Sequence, residues 1–250
     1  MNKVTVVAIV VILALFGGLL AWSSINNQQP EVDYGKYDSS KLIKGDENNG
    51  GIDDHVRGGN ADDMKVLVVE YADLQCPGCA AAMPYIHKLF EKYGDRVGFV
   101  YRNFPITGHQ NARAAAAAAE SAGFQDKYWE MVETIYANRA EWISEVGDKR
   151  TQVFVDLFKD IAPEGDIDKF RSDMSNPNIE KKVNFDYGIG RHKDNVSATP
   201  AFYINGKAVD ISNANTTQDL AKVVEDGIKE ALKAAGLDTT PLPIDSPSEE

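Results

Sequence analysis

The stretch "VVEYADLQCPGCAAAMP", residues 68–84, holds both cysteines of the chain, Cys76 and Cys79. It continues a β-branched apolar run at residues 65–72, which predicts a short strand buried on both faces. Pro77 suits the first position of a helix, because proline lacks the N–H group that would be unpaired there. We therefore predict that the pair stands where a buried strand gives way to a helix of residues 77–93.

Two cysteines at this spacing have three common uses. A zinc site usually needs four ligands, and the four histidines of the chain show no paired spacing, so no metal is expected. A structural disulfide across so short a loop restrains little of the unfolded chain. Redox chemistry remains. At the start of the helix Cys76 would face free amides, which lower a thiol pKa below about 8.5, and Cys79 would be the resolving thiol.

Composition excludes some partners. The formal net charge of the 250 residues is −12, and hydrophobic residues make up 43%. Nucleic acid binding needs clustered Lys and Arg that neutralise phosphates, so nucleic acid is not expected as a partner. The same acidity argues against docking of the folded domain on an anionic membrane surface.

Residues 4–22 contain no charged side chain. Roughly 19 residues at about 1.5 Å per residue span about 28 Å, close to the hydrocarbon thickness of a bilayer. A cleaved signal peptide, cut near Ala21 and Ser23, is the alternative, but its apolar core is usually shorter. We interpret residues 1–23 as a transmembrane anchor or signal segment and favour a single-pass anchor, with Lys3 inside and the domain outside the cytoplasm.

The remaining chain divides by composition into three parts. Residues 24–63 are polar and lack an apolar period, so we expect a tether. Residues 64–236 carry the periodic apolar patterns of one folded domain. Residues 237–250 are rich in proline and acid, so we expect a disordered tail.

The apolar patterns of this domain predict an α/β fold. A second apolar run at residues 96–104 follows the first helix, which indicates a right-handed βαβ unit with parallel strands. Helical patterns then occupy residues 112–122 and the regions around 124–136, 153–161 and 179–187, the last ended by Gly188. Asn205-Gly206 predicts a β-hairpin. Thr216 and Asp219 predict the capping box of a final helix.

Four features together resemble a known family. They are the cysteine pair directly after the first strand in "EYADLQCPGC", Pro84 five residues beyond Cys79, Thr199-Pro200 in "SATPAFYING", and a long helical stretch, about 107–196, before that proline. Over residues 51–236 the chain resembles the DsbA-like thiol-disulfide oxidoreductases of the thioredoxin superfamily. The resemblance implies a thioredoxin fold, in which helices flank a central mixed sheet, with an inserted helical subdomain.

The resemblance also implies roles for particular residues. Cys76 and Cys79 would exchange disulfides, and Glu70 would be a partly buried acid that helps move the Cys79 proton, although an exposed position on the strand is the alternative. A cis peptide bond at Thr199-Pro200 would present backbone groups to a substrate peptide. Pro77 and Gly78, between the cysteines, would complete the substrate-binding surface.

The sequence does not fix the direction of electron flow. Strong oxidants of the family often carry His where this chain has Gly78, so we expect an intermediate potential. We favour a dithiol oxidase for exported proteins, without a cofactor, that a membrane partner of the DsbB or vitamin K epoxide reductase type reoxidises. A reductase or isomerase of the same fold is the alternative. A non-catalytic interaction module, or one that binds Cu(I) through the cysteines and Met83, is an alternative of another class.

Overall fold

The computed structural model describes residues 32–59 and 64–243, and everything below concerns the compact unit that begins at Tyr34. The helices are α1 Pro77–Tyr93, α2 Ala112–Gly123, α3 Tyr128–Ala137, α4 Arg139–Trp142, α5 Gly147–Ile161, α6 Ile167–Asp173, α7 Pro177–Gly188 and α8 Thr217–Ala234. The strands are β1 Val56–Arg57, β2 Val66–Ala72, β3 Val97–Asn103, β4 Ala201–Ile204 and β5 Lys207–Ala208.

In the described part of the chain the strands form one mixed sheet in the order β1-β3-β2-β4-β5. The strands β2 and β3 are parallel, whereas the other neighbouring pairs are antiparallel. All residues of β2 and β3 are buried. The parallel βαβ unit, the hairpin at Asn205-Gly206 and the capping box of Thr216 and Asp219 are therefore confirmed.

Side chains alternate between the two faces of the sheet. Val66 and Val68 of β2 pack in one apolar cluster with residues of α1 and α8. Glu70, two residues further along the same strand, therefore faces the same layer of helices. Tyr71 faces the opposite side, where its hydroxyl donates to Asp194 and accepts from Arg102.

Helices α2 to α7 lie between β3 and β4 in the chain, in the region expected to be a helical insertion. They build a second apolar cluster around Trp142, Phe154 and Phe158. Cys76 and Cys79 belong to this cluster. The cysteine pair thus lies where the sheet, α1 and the helical insertion meet.

The helix α7 ends at Gly188, as expected, but Gly188 does not end it by adopting a left-handed cap conformation. The chain continues into a five-residue π-helical turn, Ile189–Lys193, because Gly188 keeps helical angles, φ −63 and ψ −45. The glycine serves close packing instead of termination. A Cβ atom there would overlap the ring of Tyr34, so a larger residue would require that ring to move.

The expected tether is wrong for residues 34–59. Its strand β1 pairs with β3, and Ile43 and Ile52 are buried. The buried Asp54 carboxylate accepts from Arg102 at 2.7 Å and from Lys182 at 2.9 Å. Isolated apolar residues and one acid with distant partners leave no periodic pattern in the sequence, which explains the error. Residues 24–31 and 60–63 lie outside the described residues.

The expected disordered tail is wrong for residues 237–243. The guanidinium of Arg96 donates to the carbonyls of Asp238 and Thr240, and the Leu242 amide donates to the carbonyl of Lys92. Residues 244–250 and the predicted anchor at residues 1–23 lie outside the described residues. Among the helices that are described, none has the length and apolar character to cross a membrane.

Candidate active site

Cys76 is the N-cap residue of α1, with extended backbone angles of φ −67 and ψ 124, and Pro77 opens the helix. This is the arrangement that the sequence predicts. Cys76 retains 9% of its surface exposure, whereas Cys79, one turn into the helix, retains 1%. Both are free thiols. The helix start therefore presents one sulfur near the surface and holds the second one inside.

The environment makes Cys76 acidic. A hydrogen bond from the Cys79 side chain is the largest cause, and the backbone amides of Cys79 and Gly78 assist, so that the Cys76 pKa falls to about 5 against the opposing effect of burial. The side chain of Thr199 also favours the thiolate. Because the buried Thr199 Oγ1 makes no hydrogen bond of normal geometry, we attribute the low pKa first to Cys79. Cys76 is therefore a thiolate at neutral pH.

The pKa of the partner cysteine, Cys79, is shifted in the opposite direction. Burial raises the pKa of Cys79 well above its ordinary value, and the hydrogen bond to Cys76 and the negative charge of Glu70 add to the effect. At neutral pH the pair therefore consists of a thiolate at Cys76 and a thiol at Cys79. Such asymmetry gives the two sulfurs different roles, since only a thiolate is a good nucleophile or leaving group.

Glu70 is a buried acid, with 6% of its surface exposed, so the alternative of an exposed position on the strand is wrong. In the described part of the chain its carboxyl group has no hydrogen-bond partner. Burial, followed by the negative charge at Cys76, raises the Glu70 pKa to about 8. A carboxyl group with this pKa can both accept and donate a proton near neutral pH.

The Thr199-Pro200 peptide bond is cis, as expected, and this turn lies against the cysteines. The Cys76 sulfur is 3.6 Å from the carbonyl oxygen of Thr199. A Cβ atom built on Gly78 would be 3.7 Å from both the Cys76 sulfur and Pro200 Cδ. The structure therefore brings Cys76, Gly78 and the Thr-Pro turn together, with Pro77 and Gly78 exposed at the surface.

Several residues around the site were not found from the sequence. Tyr101 stands opposite Glu70 in the sheet register, and its hydroxyl is 3.1 Å from that of Tyr136. Tyr136 in turn donates to the Asp73 carbonyl at 3.2 Å. Tyr101 could have been found by aligning the two predicted parallel strands. Tyr136, from the helical insertion, carries no such signal because its contact depends on how the helices pack.

A second group from the insertion holds the residue before Cys76. Arg139 donates two hydrogen bonds to the Gln75 carbonyl, and the backbone N–H of Asn111 donates to the Gln75 side-chain oxygen at 2.7 Å. His109 lies 2.7 Å from the Asp73 carboxylate. In the described residues no group of three or more His, Cys, Asp or Glu side chains is arranged to hold a metal ion.

Comparisons with known proteins agree with this geometry. A family model described as thioredoxin matches residues 52–226. The probable disulfide bond formation protein D of Bacillus cereus is 32% identical over 154 residues, which cover 58% of this chain and 68% of that protein. The crystal structure of oxidised BdbD from Bacillus subtilis has a TM-score of 0.57 at 24% identity, covering 77% of this chain and 99% of that one, which shows the fold.

Another group of relatives is much longer. The Na(+)/H(+) antiporter NhaA 1 of Salinispora arenicola is 32% identical over 155 residues, which cover 62% of this chain. The matched part spans only 22% of that antiporter, so the likeness concerns a part of it. The chain belongs to the thioredoxin family, and its resemblance to the DsbA-like thiol-disulfide oxidoreductases is confirmed.

Proposed function

We propose that the chain is a thiol-disulfide oxidoreductase that introduces disulfides into exported proteins. The single observation that carries the proposal is the pairing of an N-cap Cys76, whose pKa is about 5, with a buried Cys79 thiol beside the buried acid Glu70. A thiolate stabilised in the reduced protein makes the corresponding disulfide a stronger oxidant.

The proposed reaction begins with the Cys76–Cys79 disulfide. A substrate thiolate attacks the Cys76 sulfur, the bond between the two cysteines breaks, and Cys79 leaves and takes a proton from neutral Glu70. A second substrate thiolate then attacks the substrate sulfur of the mixed disulfide, and Cys76 leaves as a thiolate. The substrate loses two electrons and gains a disulfide, while the enzyme ends as a Cys76 thiolate and a Cys79 thiol. Glu70 regains its proton from solvent.

The acidity of Cys76 supports an oxidase of intermediate strength. Its pKa of about 5 lies between the value of about 7 for thioredoxin and about 3.5 for a strong oxidant of the DsbA type. Gly78 provides no side chain that could hydrogen-bond the thiolate. The shift comes instead from Cys79 and the helix amides, which are built into the first turn of α1.

Substrate peptides would bind across the Thr199-Pro200 turn and the exposed Pro77-Gly78 dipeptide. The carbonyl of Thr199, close to the Cys76 sulfur, can accept a backbone hydrogen bond from an extended segment, as in β-augmentation. The reacting cysteine of such a segment would lie over Cys76. Such binding depends more on the backbone of the substrate than on its side chains, which suits an enzyme with many protein substrates.

We place the enzyme outside the cytoplasm, held by a single membrane span at residues 4–22. The uncharged length of that segment supports the anchor, and disulfides persist mainly in oxidising compartments. Each oxidase cycle leaves the enzyme reduced, so turnover requires a membrane partner of the DsbB or vitamin K epoxide reductase type to remove two electrons.

The test uses the full chain in detergent with a reduced two-cysteine peptide. The oxidised wild type should oxidise the peptide, and Cys76→Ser should be inactive. Cys79→Ser, given oxidised glutathione instead of the reduced peptide, should hold a mixed disulfide with glutathione on Cys76, because its thiolate attacks the glutathione disulfide and no second cysteine resolves the product. Equal turnover by wild type and Cys76→Ser rules out the redox function, and stoichiometric Cu(I) binding would then favour the metal-binding alternative. A glutathione equilibrium near the thioredoxin potential of about −270 mV would make the protein a reductase.

A further inference from the structure

The peptide group that joins Gln75 to Cys76 is fixed at both ends. Its N–H, on Cys76, donates to the Asp73 carbonyl at 2.9 Å. Its carbonyl oxygen, on Gln75, accepts from Nε and Nη2 of Arg139 at 3.1 and 2.8 Å. The orientation of this peptide plane sets the backbone angle at which Cys76 enters α1. Arg139 therefore fixes the peptide group that precedes the nucleophilic Cys76.

The charge of Arg139 is not neutralised by an acid. No carboxylate among the residues that the structure describes lies within ion-pair distance of its guanidinium, although the chain as a whole carries a net charge of −12. Arg139 is partly buried at the start of α4. A guanidinium that donates two bonds to one carbonyl forms strong, directional contacts. Here that carbonyl belongs to the residue before the reactive cysteine.

We propose that Arg139 is a positioning residue of the redox site, which fixes the peptide before Cys76 and favours the negative charge on the Cys76 sulfur. The inference rests on the proposed function, because it assigns the charge a use in thiol-disulfide exchange. It also gives the helical insertion a part in the chemistry. Besides covering the sheet, the insertion contributes the positive charge of Arg139, which favours the Cys76 thiolate.

The neighbouring Arg150 provides a matched control. Its guanidinium donates to the side-chain oxygen of Asn111 at 2.8 Å, and the backbone N–H of Asn111 donates to the side chain of Gln75. Arg150 thus belongs to the same hydrogen-bond network and has the same charge, but it does not contact the peptide before Cys76. A role of Arg139 that is only structural should be shared by Arg150.

The test compares Arg139→Met, Arg139→Lys and Arg150→Met in the full chain. Thiolate absorbance at 240 nm against pH gives the Cys76 pKa, and a glutathione series gives the redox equilibrium constant. We expect Arg139→Met to raise the Cys76 pKa by about half a unit to one unit and to shift the redox equilibrium about three- to tenfold towards the disulfide. Arg139→Lys should lie between Arg139→Met and the wild type, and Arg150→Met should match the wild type.

Equal Cys76 titration in Arg139→Met and the wild type, or an equal shift in Arg150→Met, overturns the inference. If Arg139→Met does not fold, Arg139→Lys decides, since it keeps the charge but cannot reproduce the two-bond contact, and titration identical to the wild type then refutes the positioning role. Failure of the proposed function gives a different result. The wild type would then exchange no disulfides, while the thiolate titration of the variants would still report on Arg139.

Discussion

Glu70 of β2 and Tyr101 of β3 are direct cross-strand neighbours, and both face the layer of helices that carries the cysteines. Tyr101 is fully buried and neutral, because burial raises its pKa well above the ordinary value. Its hydroxyl lies 3.1 Å from that of Tyr136, and Tyr101 brings no positive charge to Glu70. No positive charge offsets the effect of burial, which, together with the negative charge at Cys76, raises the Glu70 pKa to about 8.

Replacing Glu70 by Gln should stabilise the protein and slow disulfide exchange. The folded-state pKa of about 8 lies above the unfolded value, so the wild type loses stability as pH rises from about 4.5 to 8, while the variant does not. The free energy of unfolding should be about 3 kcal/mol higher in Glu70→Gln at pH 7. Urea unfolding of the reduced proteins at pH 4.5 and pH 7 measures the difference. Equal stabilisation at both pH values would contradict a titrating Glu70.

The low pKa of Cys76 should depend on a donor at position 79. Iodoacetamide should modify Cys76 with a pH midpoint of about 5, because only the thiolate reacts. Cys79→Ala removes the largest cause of the shift and should move the midpoint up by at least about one unit. Cys79→Ser keeps a hydroxyl donor and should titrate closer to the wild type. Identical midpoints in the two variants would show that the helix amides alone set the acidity.

Gly78→His should make the disulfide more oxidising. The space exists, since a Cβ atom at Gly78 would be at ordinary contact distance, 3.7 Å, from the Cys76 sulfur and Pro200. A histidine there adds a donor or a positive charge next to the thiolate, which should lower the Cys76 pKa by about one unit and shift the glutathione equilibrium about tenfold towards the dithiol. Gly78→Ala is the control for helix propensity. An equal change in both variants would assign the effect to the backbone.

Asp54→Asn should strongly destabilise the fold. The Asp54 carboxylate lies between the buried side chains of Arg102 and Lys182. Lys182 keeps Asp186 as a partner, but removal of Asp54 leaves the buried Arg102 guanidinium without a carboxylate, at a cost of about 3–5 kcal/mol. The matched control is Asp53→Asn at the next position. Asp53 pairs with Lys44 at the surface, where an ion pair contributes at most about 1 kcal/mol. Thermal unfolding of the two variants should differ clearly, and similar values would mean that residues 34–59 are not part of the cooperative fold.

Disulfide chemistry and fold could be predicted because their signals are local. Cys76, Pro77 and Cys79 lie within one turn of the start of a helix, and the acidity of the first sulfur follows from the hydrogen bond of Cys79 and from the amides of that turn. Continuous apolar runs predicted β2 and β3, the Asn205-Gly206 signal predicted the hairpin of β4 and β5, and apolar residues at helical spacing predicted most helices. The Thr199-Pro200 turn was predicted through the family resemblance, and its cis bond was confirmed.

Tertiary structure alone decided which groups distant in sequence contact one another. Asp54 meets Arg102 and Lys182 across 48 and 128 residues of sequence, and Arg139 meets Gln75 across 64. Single polar side chains with distant partners produce no periodic pattern, so the sequence suggested a tether where the structure has part of the domain. What the sequence by itself determined was the acidic cysteine at the start of α1; the burial of Glu70 and the placement of Arg139 depend on helices packing against the sheet, which no local pattern specifies.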